Sequence, residues 1–200
     1  LIHLVDERID NGDIVFNHNF EFDKNERKPL EYIQRQHSEE QTYLLPWLKK
    51  ILTNALPLER VPQDTSIQPT YFPRLSTDLH GFIDWSLGIR DIERFILAFS
   101  EPYPGASTYL CDRRIHIKDC TIIKTNYTHP FVAGIISDIC DGAIYVQAIG
   151  GIMRINISDI STDEHISFKP GDRLHTPQNI LENALSTRVV YTPEGLLGIS

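Results

Sequence analysis

Apolar and polar positions follow two periods along this chain, and the switch between them marks its organisation. Leu1-Ile2-His3-Leu4-Val5 holds four apolar residues in five, two of them β-branched, which is the pattern of a buried strand. Asn11-Gly12 reads as a turn, and 13–22 alternates, with Ile14, Phe16, His18, Phe20 and Phe22 on one face. From about Pro29 to Ala55 the period becomes helical: Leu30, Ile33, His37, Leu44, Leu48, Ile51 and Leu52 form one stripe, Pro29 suits a first-turn position, and Pro46 must kink or divide the helix. Residues 57–80 carry Pro57, Pro62, Pro69 and Pro73 without a sustained period and read as an ordered connector. A second helix is predicted behind a Ser86 cap, burying Ile89, Ile92, Phe95, Ile96 and Phe99 and ending at "EPYPGA". From Ala106 the texture is five or six short strands, "ASTYL", "RRIHIKDC", "TIIKT", "FVAGIISDI", "AIYVQAI" and "GIMRINI", split by turn residues. That spacing predicts a small closed or partly open barrel, finished by the "KPGDRL" turn and a short helix near Asn179–Leu185.

A buried strand needs neighbours on both edges, so the opening pentad carries the expectation that this chain is the second part of a larger protein. With 41% hydrophobic and 23% charged residues over 200 positions, the composition is that of a globular protein with a real core. No apolar run approaches the roughly 18 residues of a membrane span, so no membrane partner is expected. Cys111, Cys120 and Cys140 are odd in number and lack C-x-x-C spacing, which predicts buried thiols and a cytoplasmic setting. A net charge of −8 disfavours non-specific binding to nucleic acid or anionic lipid. The eight His residues show no metal-ligand spacing, so no metal site is expected; Trp47 and Trp85 read as core anchors, and "RRIHIK" as a solvated strand edge.

Five stretches taken together, "RIDNGDIV", "TYFPRL", "GFIDWS", "IERFILAFSEPYPGA" and "KPGDRL", occur in an order and spacing that resembles the methionyl-tRNA formyltransferase family, which includes the sugar N-formyltransferases. The resemblance implies an α/β remnant of a Rossmann-like formyltransferase domain followed by a small all-β OB-like barrel. On that basis 1–56 is the end of the catalytic domain, 57–104 a connector and helix, and 105–200 the barrel. It implies 10-formyltetrahydrofolate as cofactor, with an acceptor amine attacking the formyl carbon through an oxyanionic intermediate. In the family an Asn-x-His pair serves that intermediate, and an Asp in a D-x-G segment positions and polarises the His. Asp10 matches that Asp, with Asp13 as competitor, although an Asp before Asn-Gly is otherwise an ordinary turn residue. Backbone groups of Glu7, Arg8, Ile9 and Asp10 are implied contacts to the pterin; "TYFPRL" reads first as connector packing, with Arg74 as the candidate partner of an anionic group on the acceptor because a guanidinium fork suits phosphate.

The sequence departs from the family in one respect: no Asn-x-His followed by Ser-Leu-Leu-Pro occurs, and Asn17-His18-Asn19 has the wrong order. The 200-residue chain by itself is therefore expected to be inactive. From Ala106 to Ser200 eight Lys and Arg stand against ten Asp and Glu, a balance that suits a nucleotide-linked amino sugar as the small-molecule acceptor better than initiator tRNA. A non-catalytic binding module is the reading from another class, a formyltetrahydrofolate hydrolase ranks below it, and the oligomeric state is left open.

Overall fold

The computed structural model describes residues 1–7, 11–64, 66, 70, 72, 75–163, 166–192 and 195–198. Internal contacts divide the chain into two compact units, one of Leu1–Glu26 with Glu31–Phe72 and one of Arg27–Leu30 with Pro73–Ser200.

In the first unit, β1 (Ile2–His3) pairs antiparallel with β2 (Ile14–Phe16), and Ile14 exchanges backbone hydrogen bonds of 2.8 and 2.9 Å with Val61. The alternation predicted over 13–22 is thus a three-residue strand followed by extended chain, whose aromatic face packs on the helical stretch that follows: Phe16 tilts on Trp47, His18 stacks on Tyr43, and Phe22 meets Tyr32 and Phe20 edge to face. The helical stretch begins at Pro29 as α1 (Pro29–Glu39), widens into a π turn at Glu40–Leu44 and resumes as α2 (Leu45–Leu52) with Pro46 in its first turn. Pro46 divides the helix there because a π turn loosens the hydrogen-bond ladder just where proline supplies no N–H.

The predicted stripe is not buried. Ile33 is 37%, Leu48 40% and Leu52 75% exposed, and among the described residues of this unit Gly12 alone is buried. Trp47, expected as a core anchor, is likewise half-buried. The spacing identified which helix face is apolar, and the described residues of this unit cover it only in part, leaving Leu44 and Ile51 half-buried and Leu48 and Leu52 exposed.

The second unit holds the core. After α3 (Thr77–His80), α4 (Ile89–Ala98) buries Ile89, Ile92, Ile96 and Leu97. Its N-cap is Gly88, not Ser86: both the N–H and the hydroxyl of Ser86 donate to Asp84 Oδ1, at 2.8 and 2.6 Å. Asp84 outcompetes the helix start for Ser86 because a carboxylate two residues back closes a tight turn locally.

β3 (Ala106–Leu110) pairs with β4 (Arg113–Ile117). β5 (Thr121–Thr125), β6 (Ile136–Cys140), β7 (Ala143–Ala148) and β8 (Gly151–Asn156) form an antiparallel sheet in the order β5-β8-β7-β6. The short β9 (Ile160–Ser161) completes a three-stranded sheet on β4. "FVAG" is not strand: Pro130–Val132 makes a 3-10 turn capped by His129 Nδ1, which accepts from the Phe131 N–H at 3.1 Å. The segment 172–175 stitches the sheets together: His175 exchanges backbone hydrogen bonds with Tyr109 on one side, and on the other the Leu174 N–H donates to the Gly134 carbonyl while the Asp172 carbonyl accepts from the Ile136 N–H. α5 (Gln178–Ser186) falls at the predicted place, and a hairpin of β10 (Val189–Thr192) and β11 (Gly195–Gly198), absent from the sequence reading, follows it.

The hairpin turns follow from local chemistry. Asp141 and Gly142 both have positive φ between β6 and β7, as do Cys111 and Asp112 between β3 and β4, the backbone twist a two-residue hairpin loop requires. The core runs from Ile83 through Ile92, Ile96, Ile115, Ile144, Met153 and Ile155 to Leu174. Trp85 is buried as expected, and its indole N–H donates to Thr108 Oγ1 at 2.9 Å. Arg27 is bonded to Glu93 at 2.7 Å and Lys28 to Asp119, tying the 27–30 strip to this unit. Among the described residues no helix is long and apolar enough to cross a membrane.

The cysteines divide, against expectation: Cys120 is buried, while Cys111 and Cys140, at a hairpin tip and a strand end, are exposed. Burial pushes the Cys120 thiol far above its ordinary range, and the Glu93 and Asp119 carboxylates add to the shift. Iodoacetamide on the native protein is expected to alkylate Cys111 and Cys140 and to spare Cys120 until denaturant is added. Mass spectrometry showing Cys120 labelled as fast as the others would contradict this burial.

Candidate functional site

The site implied by the resemblance is the loop between β1 and β2, and its base is firmly built. The Leu4 N–H donates to the Asp13 carbonyl at 2.9 Å, and His3 Nδ1 lies 3.0 Å from the Leu4 carbonyl. Gly12 packs against that same turn so closely that a Cβ on it would stand 1.8 Å from the Leu4 carbonyl oxygen, so any side chain there would force the two ends of the loop apart. Gln63, from the segment laced to β2 through Val61, donates its amide Nε2 to the Gly12 carbonyl at 2.8 Å. Asn11 donates to Asp6 across the loop at 3.3 Å. Glycine at position 12 and an amide at 63 therefore set where the loop leaves and re-enters the ribbon.

The loop's shoulder faces outward, with Val5 95% exposed and Asp6 and Glu7 exposed beside it. Glu7 is the one residue of the implied set that the structure describes. Arg8, Ile9, Asp10 and Arg74 lie outside the described residues. Asp13, the competing carboxylate, contributes its backbone carbonyl to the loop base.

A second constellation in the same unit went unread in the sequence. His18 Nε2 bonds Glu39 Oε2 at 2.9 Å, its ring stacks on Tyr43 at 3.9 Å, and Arg35 Nη2 holds the other Glu39 oxygen at 2.8 Å. His18, Glu39 and Tyr43 line a cavity of about 230 Å³ together with Phe16 and Phe20. The one legible signal was the spacing of Arg35, Glu39 and Tyr43 on a single helical face; the 21-residue separation from His18 hides the partner. Every polar group named in this constellation is engaged with another, which makes it a brace between the extended segment and α1 rather than a reactive centre.

Comparison with known proteins adds two findings. Residues 76–169 match the family described as formyl transferase, C-terminal domain. Among solved structures, a crystal structure of a HypX variant from Aquifex aeolicus shares the fold over 94% of this chain, with a TM-score of 0.51 and 13% sequence identity. This chain spans 34% of that chain, about a third of its length.

Proposed function

We propose that the chain is the later part of a 10-formyltetrahydrofolate-dependent N-formyltransferase, a reading supported by the match of residues 76–169 to the formyl transferase C-terminal domain family. The observation that carries this reading is the order of features: the domain follows a glycine-pinned loop containing Asp10-Asn11-Gly12, which resembles the D-x-G segment of that family. The first unit supports it in a second way. A helical stripe with Leu48 and Leu52 exposed, in a unit whose one buried described residue is Gly12, is the surface of an element that packs against a larger body, here the Rossmann-like sheet. The two antiparallel sheets stitched by Arg173–His175 are then the OB-like barrel.

The position this reading assigns to the folate is the loop shoulder, where Val5 and Glu7 are exposed beside a loop base fixed by Gln63 and Gly12. Residues Glu7 to Asp10 would hold the pterin through backbone groups. When bound, the cofactor supplies the formyl group. The chain's own part is electrostatic: the Asp10 carboxylate orients an imidazole from outside these 200 residues and stabilises its charged form while a proton leaves the attacking amine. Arg74 would take an anionic group of the acceptor.

The acidic balance from Ala106 onward favours a nucleotide-linked amino sugar as acceptor, since a diphosphate needs one or two cationic contacts and tRNA needs a basic surface. The full-length protein, given formyltetrahydrofolate and either an amino-sugar nucleotide or Met-tRNA, is expected to formylate the sugar. Transfer to tRNA alone would overturn the acceptor assignment, and transfer to neither would overturn the activity.

A further inference from the structure

Between α3, α4 and α5 the second unit holds a cavity of about 480 Å³, within the range that accommodates a small molecule. Its wall is built from Phe82, Phe95 and Phe99, the last of which also belongs to the core, and from Leu181, Ala184 and Leu185 of α5. Two titratable side chains belong to this wall, and the structure uses them differently. His80 is fully occupied, with Nδ1 accepting from the Ser76 N–H at 2.9 Å and Nε2 lying 3.1 Å from the Thr187 carbonyl, so it fastens α3 to the end of α5 and offers a ligand no free nitrogen. Asp84 is half occupied. Its Oδ1 accepts both bonds from Ser86, and its other carboxylate oxygen takes none among the described residues.

A concave, largely apolar wall whose one charged group with an open acceptor, among the described residues, is a carboxylate selects both ends of a ligand. The apolar body gains from leaving water, and the single charge fixes its polarity. We infer that this cavity binds a small amphiphilic amine, an aliphatic or aromatic body carrying one ammonium, seated against Phe82, Phe95 and Phe99 with its cation on Asp84. An anionic amphiphile of the same length meets the same wall and the wrong sign, and a neutral one loses the orientation. The inference does not depend on formyl transfer, since the Asp10 loop belongs to the other unit.

The test uses the whole chain at low salt with Nile red as reporter and octylamine, octanol and octanoate as competitors. Octylamine is expected to displace the dye at about tenfold lower concentration than octanoate, with octanol between them. Asp84→Asn keeps an Oδ1 acceptor for Ser86 and removes the charge, and should bring the three competitors to within about twofold of one another. Ala184→Phe should sharply weaken dye binding by placing a ring inside the cavity. Equal displacement by amine and carboxylate in the unaltered chain, or a preference that survives Asp84→Asn, would overturn the charge assignment. Dye binding indifferent to Ala184→Phe in a protein of unchanged circular dichroism would overturn the location. A dimer in sedimentation that Ala184→Phe dissociates would make a second copy the occupant and overturn the ligand class.

Discussion

Asp10→Asn in the full-length protein is expected to lower kcat for formyl transfer about a hundredfold or more while formyltetrahydrofolate binding stays within about twofold. The split follows from what each interaction needs. An imidazole that must carry charge in the transition state depends on a carboxylate facing it, and the amide of Asn has the same shape without the charge. Cofactor contacts made through backbone atoms are indifferent to that change, because the loop is set by Gly12 against Leu4 and by Gln63 on the Gly12 carbonyl, none of which is altered. Single-turnover kinetics beside equilibrium binding separate the two quantities. Near-normal kcat would remove Asp10 from the mechanism, whereas equal loss of turnover and binding would show that the substitution had disturbed the loop.

Gly134→Ala should cost the second unit several kcal/mol, on the order of 4, and the control Gly142→Ala about 1. Both glycines have positive φ, +80 and +68, so both substitutions carry the strain of an L-residue there. They differ in what a methyl group would meet. At Gly142 nothing lies within 4 Å, whereas at Gly134 the Cβ would stand 2.1 Å from the Leu174 carbonyl oxygen. Gly134 also exchanges with the seam itself: its N–H donates to Gln147 and its carbonyl accepts from the Leu174 N–H, both at 2.8 Å. Forcing that seam open separates Arg173–His175 from the Ile135 side and uncovers Leu174, which is fully buried. Urea unfolding of the two variants gives the comparison; equal losses would show that backbone strain alone, and not the close approach, sets the cost.

What the sequence made legible was local. Pro29 and Pro46 marked the start and the division of a helix because proline's missing N–H acts on its own turn, and Asp141-Gly142 marked a hairpin because only a few residues accept positive φ. The stripe of α4 was read correctly because the sheets next to it in sequence supply its cover. The same reading failed on α1 and α2, where periodicity shows which face is apolar and is silent about what lies against it. Ser86 was misassigned through competition between two local bonds of similar strength, which the sequence does not rank. β9, two residues long, exists because of its pairing with β4, and β10–β11 lies beyond the helix at which the predicted barrel ends, although Val189-Val190-Tyr191-Thr192 has strand composition. Of the candidate site, the loop position was legible from Asn11-Gly12; the lock supplied by Gln63, 51 residues away, and the pairing of His18 with Glu39 are long-range contacts that no spacing announces.

The strip Arg27–Leu30 has a consequence for how such a protein can be recombined. By its contacts it counts with the second unit, through Arg27 on Glu93, Lys28 on Asp119 and the Leu30 N–H on the Glu101 carbonyl at 2.9 Å, while its flanks on both sides count with the first. A graft that moves Pro73–Ser200 onto another scaffold would strip Glu93 and Asp119 of their cations beside the buried Cys120. A successful exchange of this module must therefore bring along four residues encoded far upstream of its apparent border, or replace both acids with groups that need no counter-charge.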